Sequence, residues 1–295
     1  MSLPISAIIL TYNEENTIGA CIESIKDLVE DIFVVDSYSN DKTLEILKEH
    51  QCKIFQNKFE NWSKQRNWAL ENLPIKTDWV LHLDADHRVT SDLKNELIQI
   101  FSSGEDKQYT GFLISRKTIF MNRWIKHGGH YPVYHAVLFK RGLGKCEDAI
   151  YDQHFIVSGK LKVLCNDIED HFTESLSSFI EKHNKWAKFE AVNHFMGKED
   201  RNNRMKGNLH GNPAERRRYF KNLYFKFPIF IRPVFYFIYR FFIQFGFLDG
   251  IPGIIFHFMQ GFWFRFLVDC RICEIKFKAL IERKDVQIVA KELSV

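Results

Sequence analysis

The hydrophobic pattern changes twice along the chain, and its first section alternates short apolar runs with amphipathic segments. Four apolar runs have the length of buried strands, at residues 5–10, 32–35, 53–56 and 80–83. The segments between them have the apolar spacing of helices, at residues 17–28, 41–50 and 63–73. Strands that alternate with helices predict a parallel sheet with right-handed crossovers.

The second section is richer in strands. After a helix predicted over residues 91–103, we predict strands at 111–117 and 134–140. We also predict a hairpin over residues 155–163 that turns at Ser158 and Gly159. Strands that follow strand–helix units indicate a mixed α/β sheet, and a helix over 175–195 ends this section.

The third section begins with a polar, basic linker and continues as an aromatic, helical region. The segment of residues 241–264 contains no Asp, Glu, Lys or Arg except Asp249. Its length is close to the ~20 residues of a membrane span. Residues 247–253 carry glycine and proline, so each half is too short to cross. We therefore expect two helices in a membrane interface or a re-entrant hairpin, followed by a charged helix to about residue 284.

Composition adds an asymmetry to this picture. Residues 201–295 carry 17 Lys/Arg against 7 Asp/Glu, although the whole chain has a net charge of only +4. Fifteen of the 28 phenylalanines lie between residues 219 and 266. Cations beside aromatics suit either nucleic acid or an anionic membrane surface. Long apolar runs separate these cations, which favours the membrane over nucleic acid; packing of the aromatics on the catalytic domain or a partner subunit is the alternative.

Carboxylates follow two of the predicted strands. Asp36 ends the second strand, and Asp84 and Asp86 follow the fourth. In open α/β sheets ligands bind outside the carboxyl ends of the strands. Two carboxylates that point the same way suit a divalent cation such as Mg²⁺ or Mn²⁺, which can also hold nucleotide phosphates. The sequence has neither the glycine fingerprint of dinucleotide-binding folds nor a P-loop.

Four spaced motifs occur in order: residues 8–15, Asp36 to Thr43, Gln65 to Asn67, and Asp84-x-Asp86. Together they resemble glycosyltransferase family 2, and within it the bacterial lipopolysaccharide-core and exopolysaccharide transferases. The resemblance covers residues 3–195. It implies a GT-A fold, which is a Rossmann-like mixed sheet flanked by helices, together with a nucleotide-sugar donor and a divalent metal, Mg²⁺ or Mn²⁺.

The resemblance also implies roles for individual residues. Donor-binding residues would be Thr11, Asn13, Glu15, Asp36, Arg66 and Asp84. The first three would line the nucleotide pocket, Asp36 would meet the base or ribose, and Asp84 the ribose or diphosphate. Arg66 is either a diphosphate clamp or a helix residue paired with an acid.

The metal ligands implied by the resemblance are Asp86 and His171, although a helix-start histidine bonded to backbone is an equal alternative for His171. Asp152 occupies the place where relatives carry the catalytic glutamate, and Asp148 and Glu147 are the alternatives. A carboxylate there would act as general base on the acceptor hydroxyl. One base and in-line displacement predict inversion at the anomeric carbon.

These inferences predict a membrane-attached, inverting glycosyltransferase that acts on a lipid-linked or envelope polysaccharide acceptor, as in lipopolysaccharide biosynthesis. We expect a catalytic domain over residues 1–198, a basic linker over 199–218 and a membrane-interface region over 219–295. The N-terminus has no signal-peptide pattern, so we expect attachment to the anionic inner leaflet, on the cytoplasmic face, as a peripheral or monotopic protein. The sequence is compatible with a homo-oligomer. Two alternative functions are transfer of the sugar to polyprenyl phosphate, which needs no base, and a non-catalytic membrane scaffold.

Overall fold

The computed structural model describes residues 2–149, 152–171, 175–195 and 204–293. The chain divides into two compact units, and each unit is built from stretches that are not consecutive in the sequence. The first unit comprises Met1–Thr118, Pro132–Glu147 and Gln153–Phe172. The second comprises Ile119–Tyr131, Asp148–Asp152 and Thr173–Val295.

The first section of the chain forms the predicted alternation of strands and helices. Its strands are β1 (Leu3–Thr11), β2 (Val29–Asp36), β3 (Lys53–Gln56), β4 (Trp79–Asp84) and β5 (His87–Val89). Its helices are α1 (Ile18–Glu23), α2 (Thr43–Glu49), α3 (Trp62–Asn72) and α4 (Ser91–Ser103). The side chain of Thr90 caps α4 at the N-terminus, and Gly104 ends it with a left-handed conformation.

Later strands complete a mixed sheet. They are β6 (Gly111–Phe120), β7 (Arg123–Trp124), β8 (Tyr134–Lys140), β9 (Gly144–Cys146), β10 (Phe155–Val157) and β11 (Leu161–Asp170). Within the described residues, nine strands form one sheet in the order β3-β2-β1-β4-β8-β6-β11-β5, with β7 beside β6. The pairs β1–β2, β1–β4, β2–β3 and β6–β11 are parallel, and β4–β8 and β6–β8 are antiparallel. The predicted mixed α/β sheet is confirmed.

Consecutive residues of a strand point to opposite faces of the sheet, and here both faces pack against helices. On one face, Ile5, Ala7 and Ile9 pack in a core with residues of α1, α2 and α4. On the other, Ile8 packs with Ala69 and neighbours from α3. The Asn67 side chain of α3 also accepts from the backbone N–H of Cys146 at 2.9 Å and donates to its carbonyl at 3.0 Å. Helix α3 is therefore fixed to β9 as well as to the sheet.

The predicted hairpin over residues 155–163 is wrong. β10 pairs with β9 in a separate two-stranded sheet, and β11 pairs with β6 in parallel and with β5. The glycine at the predicted turn, Gly159, does have a positive φ of 97°. The chain turns there, but the residues after the turn join the main sheet instead of folding back on β10.

The second unit is mainly helical among its described residues. Its helices are α5 (Leu176–Phe195), α6 (Pro213–Tyr224), α7 (Ile231–Ile238), α8 (Gly250–Phe256), α9 (Phe264–Glu282) and α10 (Val286–Glu292). The first residues of the predicted linker, 199–203, lie outside the described residues, and α6 begins within the predicted linker with Asn212 as its cap. Ala187 and Ala191 of α5 pack with Val268 and Ile272 of α9 in the core of this unit.

Residues 231–263 form a helical hairpin in the second unit. Helix α7 continues through a π-helical turn (Tyr239–Ile243), and the chain reverses in a 3₁₀ turn (Gly246–Asp249). It returns as α8 and a second π-helical turn (His257–Trp263) that packs against α7. The returning half runs on into α9, and the 37-residue helix Gly246–Glu282 is long and apolar enough to cross a membrane by length and composition.

Candidate functional site

The ends of three parallel strands bring predicted donor residues to one edge of the first unit. Thr11 at the end of β1 is in register with Asp36 at the end of β2. On the other side of β1, Leu10 is in register with Asp84 at the end of β4. Thr11 Oγ1 is buried and has no hydrogen-bond partner within the described residues. The carboxyl edge of the sheet therefore gathers polar groups, as the sequence predicts.

Two other predicted donor residues connect neighbouring loops. Asn13, which has a positive φ of 55°, donates from its backbone to Ser39 Oγ and accepts from the backbone N–H of Asn40, both at 2.9 Å. Glu15 accepts from the backbone N–H of Lys42 at 2.9 Å. These side chains therefore hold the loop after β1 against the loop after β2, and together the two loops border the strand ends.

Asp36 is fully buried and its carboxylate is well supplied with donors. Ser39 donates to it from both its backbone N–H, at 3.1 Å, and its hydroxyl, at 2.5 Å. Gln56 Nε2 donates at 3.0 Å. Because a carboxylate held by several donors is fixed in one orientation, Asp36 is a rigid acceptor at the sheet edge.

Arg66 and Asp84 form an ion pair beside the same edge. Arg66 Nη2 donates to the two carboxylate oxygens at 3.0 and 3.2 Å. Burial alone would raise the pKa of the Asp84 carboxyl, but Arg66, together with His87 and Arg116, holds this pKa below its ordinary value. Asp84 is therefore ionised at neutral pH, and the arginine of α3 reaches the strand-end carboxylates.

Asp86 lies in a cluster that the sequence predicted only in part. Asp86, His87 and Asp170 each offer a ligand atom, and these atoms lie within 4.8 Å of one another. Burial raises the pKa of Asp86 to about 7, and the negative charges of Asp170 and Asp84 add to this effect. Two carboxylates so close together repel unless a proton or a cation lies between them, so the cluster suits a hard divalent ion.

The protonation state of His87 limits its part in the cluster. The backbone N–H of Asp84 donates to His87 Nδ1 at 3.1 Å. Burial lowers the pKa of the His87 ring in spite of the nearby carboxylates, so the ring is neutral at pH 7 and carries its proton on Nε2. In this tautomer neither nitrogen has a free lone pair, and the anionic ligands available are Asp86 and Asp170.

His171 is next to this cluster in the chain and is not part of it. Its backbone N–H donates to the Asp86 carbonyl at 3.0 Å, and its Nε2 is 3.1 Å from Glu169 Oε2. The bond to the Asp86 carbonyl ties the end of β11 to the residues after β4. In this arrangement the His171 ring faces the carboxylate of Glu169, in the strand that His171 follows.

The acidic residues predicted for the acceptor side have different surroundings. Asp152 belongs to the second unit, where Lys221 Nζ lies 2.9 Å from its carboxylate and 2.8 Å from Glu190. Glu147 is buried and accepts from the backbone N–H of His154 at 2.9 Å. Asp148 is exposed. The Asp152 carboxylate is thus held by the cation of Lys221.

The sequence analysis missed His87 and Asp170 as members of the cluster. Asp170 is the last residue of β11, so it is a strand-end carboxylate like Asp36 and Asp84. Residues 161–170 were not predicted as one strand, because the proposed hairpin used their first part. The signal that could have found Asp170 is the acidic pair Glu169 and Asp170 directly before His171.

Comparisons with known proteins show which proteins this chain resembles. The family model described as Glycosyl transferase family 2 matches residues 6–168, more than half of the chain. An uncharacterized glycosyltransferase of Rickettsia felis is 34% identical over 119 residues, which cover 40% of this chain and 41% of that protein. The lipopolysaccharide core biosynthesis glycosyltransferase LpsC of Rhizobium meliloti is 28% identical over 120 residues, covering 39% of this chain and 43% of LpsC.

The chain thus matches about two fifths of the length of these curated relatives. Among solved structures, residues 1–349 of S. aureus TarS align with a TM-score of 0.43 and 15% sequence identity, covering 96% of this chain and 92% of that one.

Proposed function

Because the chain belongs to glycosyltransferase family 2, with the GT-A fold of that family, we propose that it transfers a sugar from a nucleoside diphosphate to a lipid-linked or envelope saccharide. The observation that supports this most is the common strand edge that carries Asp36, Asp84 with Arg66, and the close pair Asp86 and Asp170. That edge offers acceptors for a nucleoside and anionic ligands for a cation beside one arginine.

Mg²⁺ or Mn²⁺ fits the donor set of this cluster. Both ions prefer oxygen ligands, and Asp86 and Asp170 supply carboxylates within reach of one atom. Burial raises the pKa of Asp86, and the negative charges of Asp170 and Asp84 add to this effect; a bound cation would offset those charges. When bound, such an ion would act as a Lewis acid that stabilises charge on the departing diphosphate.

The protein's own groups orient the donor. Thr11 Oγ1 would offer the nucleoside a hydroxyl that has no other partner in the described part of the chain. The buried Asp36 carboxylate would offer it a rigidly held acceptor. Arg66 is held at the strand end by Asp84, where its cationic group can approach a diphosphate. Fixing the donor in this way lowers the entropy that the transfer step has to lose.

We propose Asp152 as the general base, with Asp148 and Glu147 as alternatives. The attacking hydroxyl must lose a proton, and a carboxylate that receives it contributes ~10²–10⁴-fold. Lys221 keeps the Asp152 carboxylate in place. Displacement assisted by one base inverts the anomeric carbon, so the product should have the opposite anomeric configuration to the donor.

The assignment of Asp152 is testable with three isosteric variants. Asp152→Asn, Asp148→Asn and Glu147→Gln each remove one charge and preserve side-chain size. We expect kcat to fall at least about a hundredfold in Asp152→Asn alone, with the donor KM little changed. A normal kcat in Asp152→Asn and a loss in one of the other two would move the base to that residue.

We further propose that the enzyme works on the inner face of the cell membrane, where lipid-linked acceptors are made. The aromatic, basic second unit contains an apolar helix long enough to insert. The likeness to LpsC, whose name assigns it to lipopolysaccharide core biosynthesis, supports this acceptor class.

A thermal-shift screen of the purified full chain tests the donor site. Nucleoside diphosphate sugars with different bases are added with Mn²⁺ or Mg²⁺, and we expect one base to raise Tm in the presence of metal. Asp86→Ala should abolish this shift, and Asp27→Ala, an exposed carboxylate in the same unit, should preserve it. If no sugar nucleotide shifts Tm with either metal, the proposal fails.

A further inference from the structure

The helical hairpin of residues 231–263 has its apolar side chains on the outside. On α7 and the following turn, the exposed large residues recur every three or four positions and form one stripe: Ile231, Val234, Phe235, Ile238, Tyr239, Phe242 and Ile243. The returning arm repeats the pattern with Phe247, Leu248, Ile251, Ile254 and Phe258. Phe235 and Ile251 are 66% and 71% exposed. Each arm therefore presents a continuous hydrocarbon surface.

The charged residues of the same hairpin are buried. Arg232 lies at 3% exposure and pairs with Asp269 of α9, which is also buried. Arg240 and Asp249 are each 2% exposed. Within the described residues 227–263, no Lys, Arg, Asp or Glu side chain is exposed. In a water-soluble surface helix the polarity is the reverse.

The inward face of the hairpin is occupied by the rest of the second unit. Asp249 accepts from the backbone N–H of His127 at 2.9 Å and lies 2.6 Å from His127 Nδ1. Arg240 Nε donates to the Gly128 carbonyl at 2.7 Å. Phe256 packs on Phe120 and Phe179. Because Asp249 and Arg240 are bonded inside the unit, the inward face is already occupied, and the outer stripe is the face left for a partner.

The length of the hairpin limits how deeply it can enter a membrane. The arm of residues 231–243 is about 20 Å long at 1.5 Å per residue, against a hydrocarbon core of ~30 Å. The returning arm continues into α9, but α9 is a core element of the second unit, with Phe264, Val268 and Ile272 buried. Neither arm has enough free length to cross a bilayer.

The charges near the hairpin indicate the kind of membrane. Arg216 and Arg217 on α6 and Lys226 just after it are exposed, and exposed Phe220 and Phe227 lie among them in the sequence. These cations give the region a positive charge that an anionic partner complements. An anionic bilayer offers both a hydrocarbon layer for the stripe and negative headgroups for the cations.

We infer that residues 227–258 form a monotopic anchor that lies in the interface of one anionic leaflet, with the outer stripe in the acyl layer and both arms on the same side. This inference rests on the proposed function in that a lipid-linked acceptor would be presented by the same leaflet. An interfacial helix of this kind is buried ~5–10 Å below the headgroups.

Vesicle flotation of the full chain tests the anchor. The double variant Phe235→Asp/Ile251→Asp places two charges on the stripe. The control Leu280→Asp/Ile281→Asp changes two side chains on α9 that are 74% and 80% exposed, so both variants remove equal numbers of exposed apolar groups. Circular dichroism checks that each variant folds.

We expect the wild type and the control to float with vesicles of phosphatidylcholine and phosphatidylglycerol, and the stripe variant to bind at least about tenfold more weakly. Binding by the wild type should be weaker to phosphatidylcholine alone and should partly survive high salt, which screens charges but does not remove hydrocarbon burial.

Three outcomes would overturn the anchor: a wild type that does not float, an equal loss in the control, or a stripe variant that floats normally while its oligomer dissociates in light scattering. The last result would assign the stripe to contact between copies of the chain. Sugar-nucleotide thermal shifts measured on the same samples separate the two proposals, because the stripe variant should keep its donor response.

Discussion

Arg66 Nη2 lies 3.0 Å from one carboxylate oxygen of Asp84 and 3.2 Å from the other. The pair joins helix α3 to the end of β4, and both side chains are partly shielded from water, with 16% and 34% exposure. Such a pair keeps Asp84 ionised and at the same time keeps the guanidinium from turning into solvent. Its strength should therefore be visible both in folding stability and in donor binding.

Arg66→Met should destabilise the protein by about 1–3 kcal/mol, because it leaves the Asp84 carboxylate partly buried without its cation. Since the folded-state pKa of Asp84 is depressed, the pair contributes stability above the ordinary aspartate pKa and loses it as pH falls. Urea unfolding at neutral and acid pH should show the variant's deficit shrinking in acid.

Lys64→Met is the control for this measurement. Lys64 lies on the same helix, is exposed and pairs with Glu60 four residues earlier. Its loss should cost no more than about 0.5 kcal/mol at any pH. An Arg66→Met variant as stable as Lys64→Met at neutral pH would show that the ion pair adds nothing to folding.

Metal binding should depend on pH through Asp86. The pKa of Asp86 is raised from 3.8 to about 7, so in the metal-free protein its carboxyl is mostly protonated below that pH. The free energy of unfolding therefore falls as pH rises between those two values. A divalent ion needs the carboxylate, so the Tm gain from Mn²⁺ should be larger at about pH 8 than at about pH 5. Asp86→Asn should remove both effects, and a pH-independent Mn²⁺ gain in the wild type would contradict the assignment.

The neighbours of Asp86 predict which residue is the second ligand. Asp170 is in the cluster, and the His171 ring is bonded to Glu169. Asp170→Asn should weaken Mn²⁺ binding by about 10–100-fold in calorimetry. His171→Ala should have a smaller effect, because the bond from its backbone N–H to the Asp86 carbonyl does not depend on the side chain.

The reverse order would restore the role of His171 that the family resemblance implies. Glu169→Gln serves as a further control in that case. It removes a charge of β11 outside the cluster and alters the contact with the His171 ring.

Two adjacent glycines in the second unit offer a matched pair. Gly128 and Gly129 both have a positive φ, of 70° and 63°. A Cβ on Gly128 would lie 2.2 Å from His257 Cε1, and a Cβ on Gly129 would meet nothing closer than 3.8 Å. Alanine at either position costs about 1 kcal/mol for its backbone conformation, and Gly128→Ala should cost about 1–3 kcal/mol more for the overlap.

Chemical denaturation of the two glycine variants measures this difference. In a His257→Ala background the ring is gone, so the gap between Gly128→Ala and Gly129→Ala should close. A gap that is unchanged in that background would mean that the clash with His257 is not its cause.

The strands and helices of residues 53–103 follow the sequence closely because their signals are local. The apolar run before Asp84 forms β4, and α4 has the predicted bounds Ser91–Ser103. A threonine cap and a terminal glycine mark that helix in the sequence itself. The acidic strand ends could be predicted for the same reason, since each follows its own strand.

Pairing between distant segments could not be predicted in this way. β11 binds β6 and β5, and neither pairing has a signature within residues 155–170. The sequence could mark Asp170 as an acidic strand end, but only the pairing of β11 with β5 brings it beside Asp86 and His87. The sequence also could not predict that the hairpin buries its charged side chains and exposes its apolar ones. It shows where arginines and phenylalanines occur but not which of them face inward.

The double hydrogen bond between Asn67 and Cys146 has a consequence for variation in this fold. The amide of Asn67 satisfies both main-chain groups of a residue 79 positions later, in the way a neighbouring strand would. An insertion or deletion within β9 would shift Cys146 out of reach, and the helix turn that carries Arg66 would lose its tether. The position of Cys146 along β9 is therefore fixed by a side chain of α3 as well as by strand pairing.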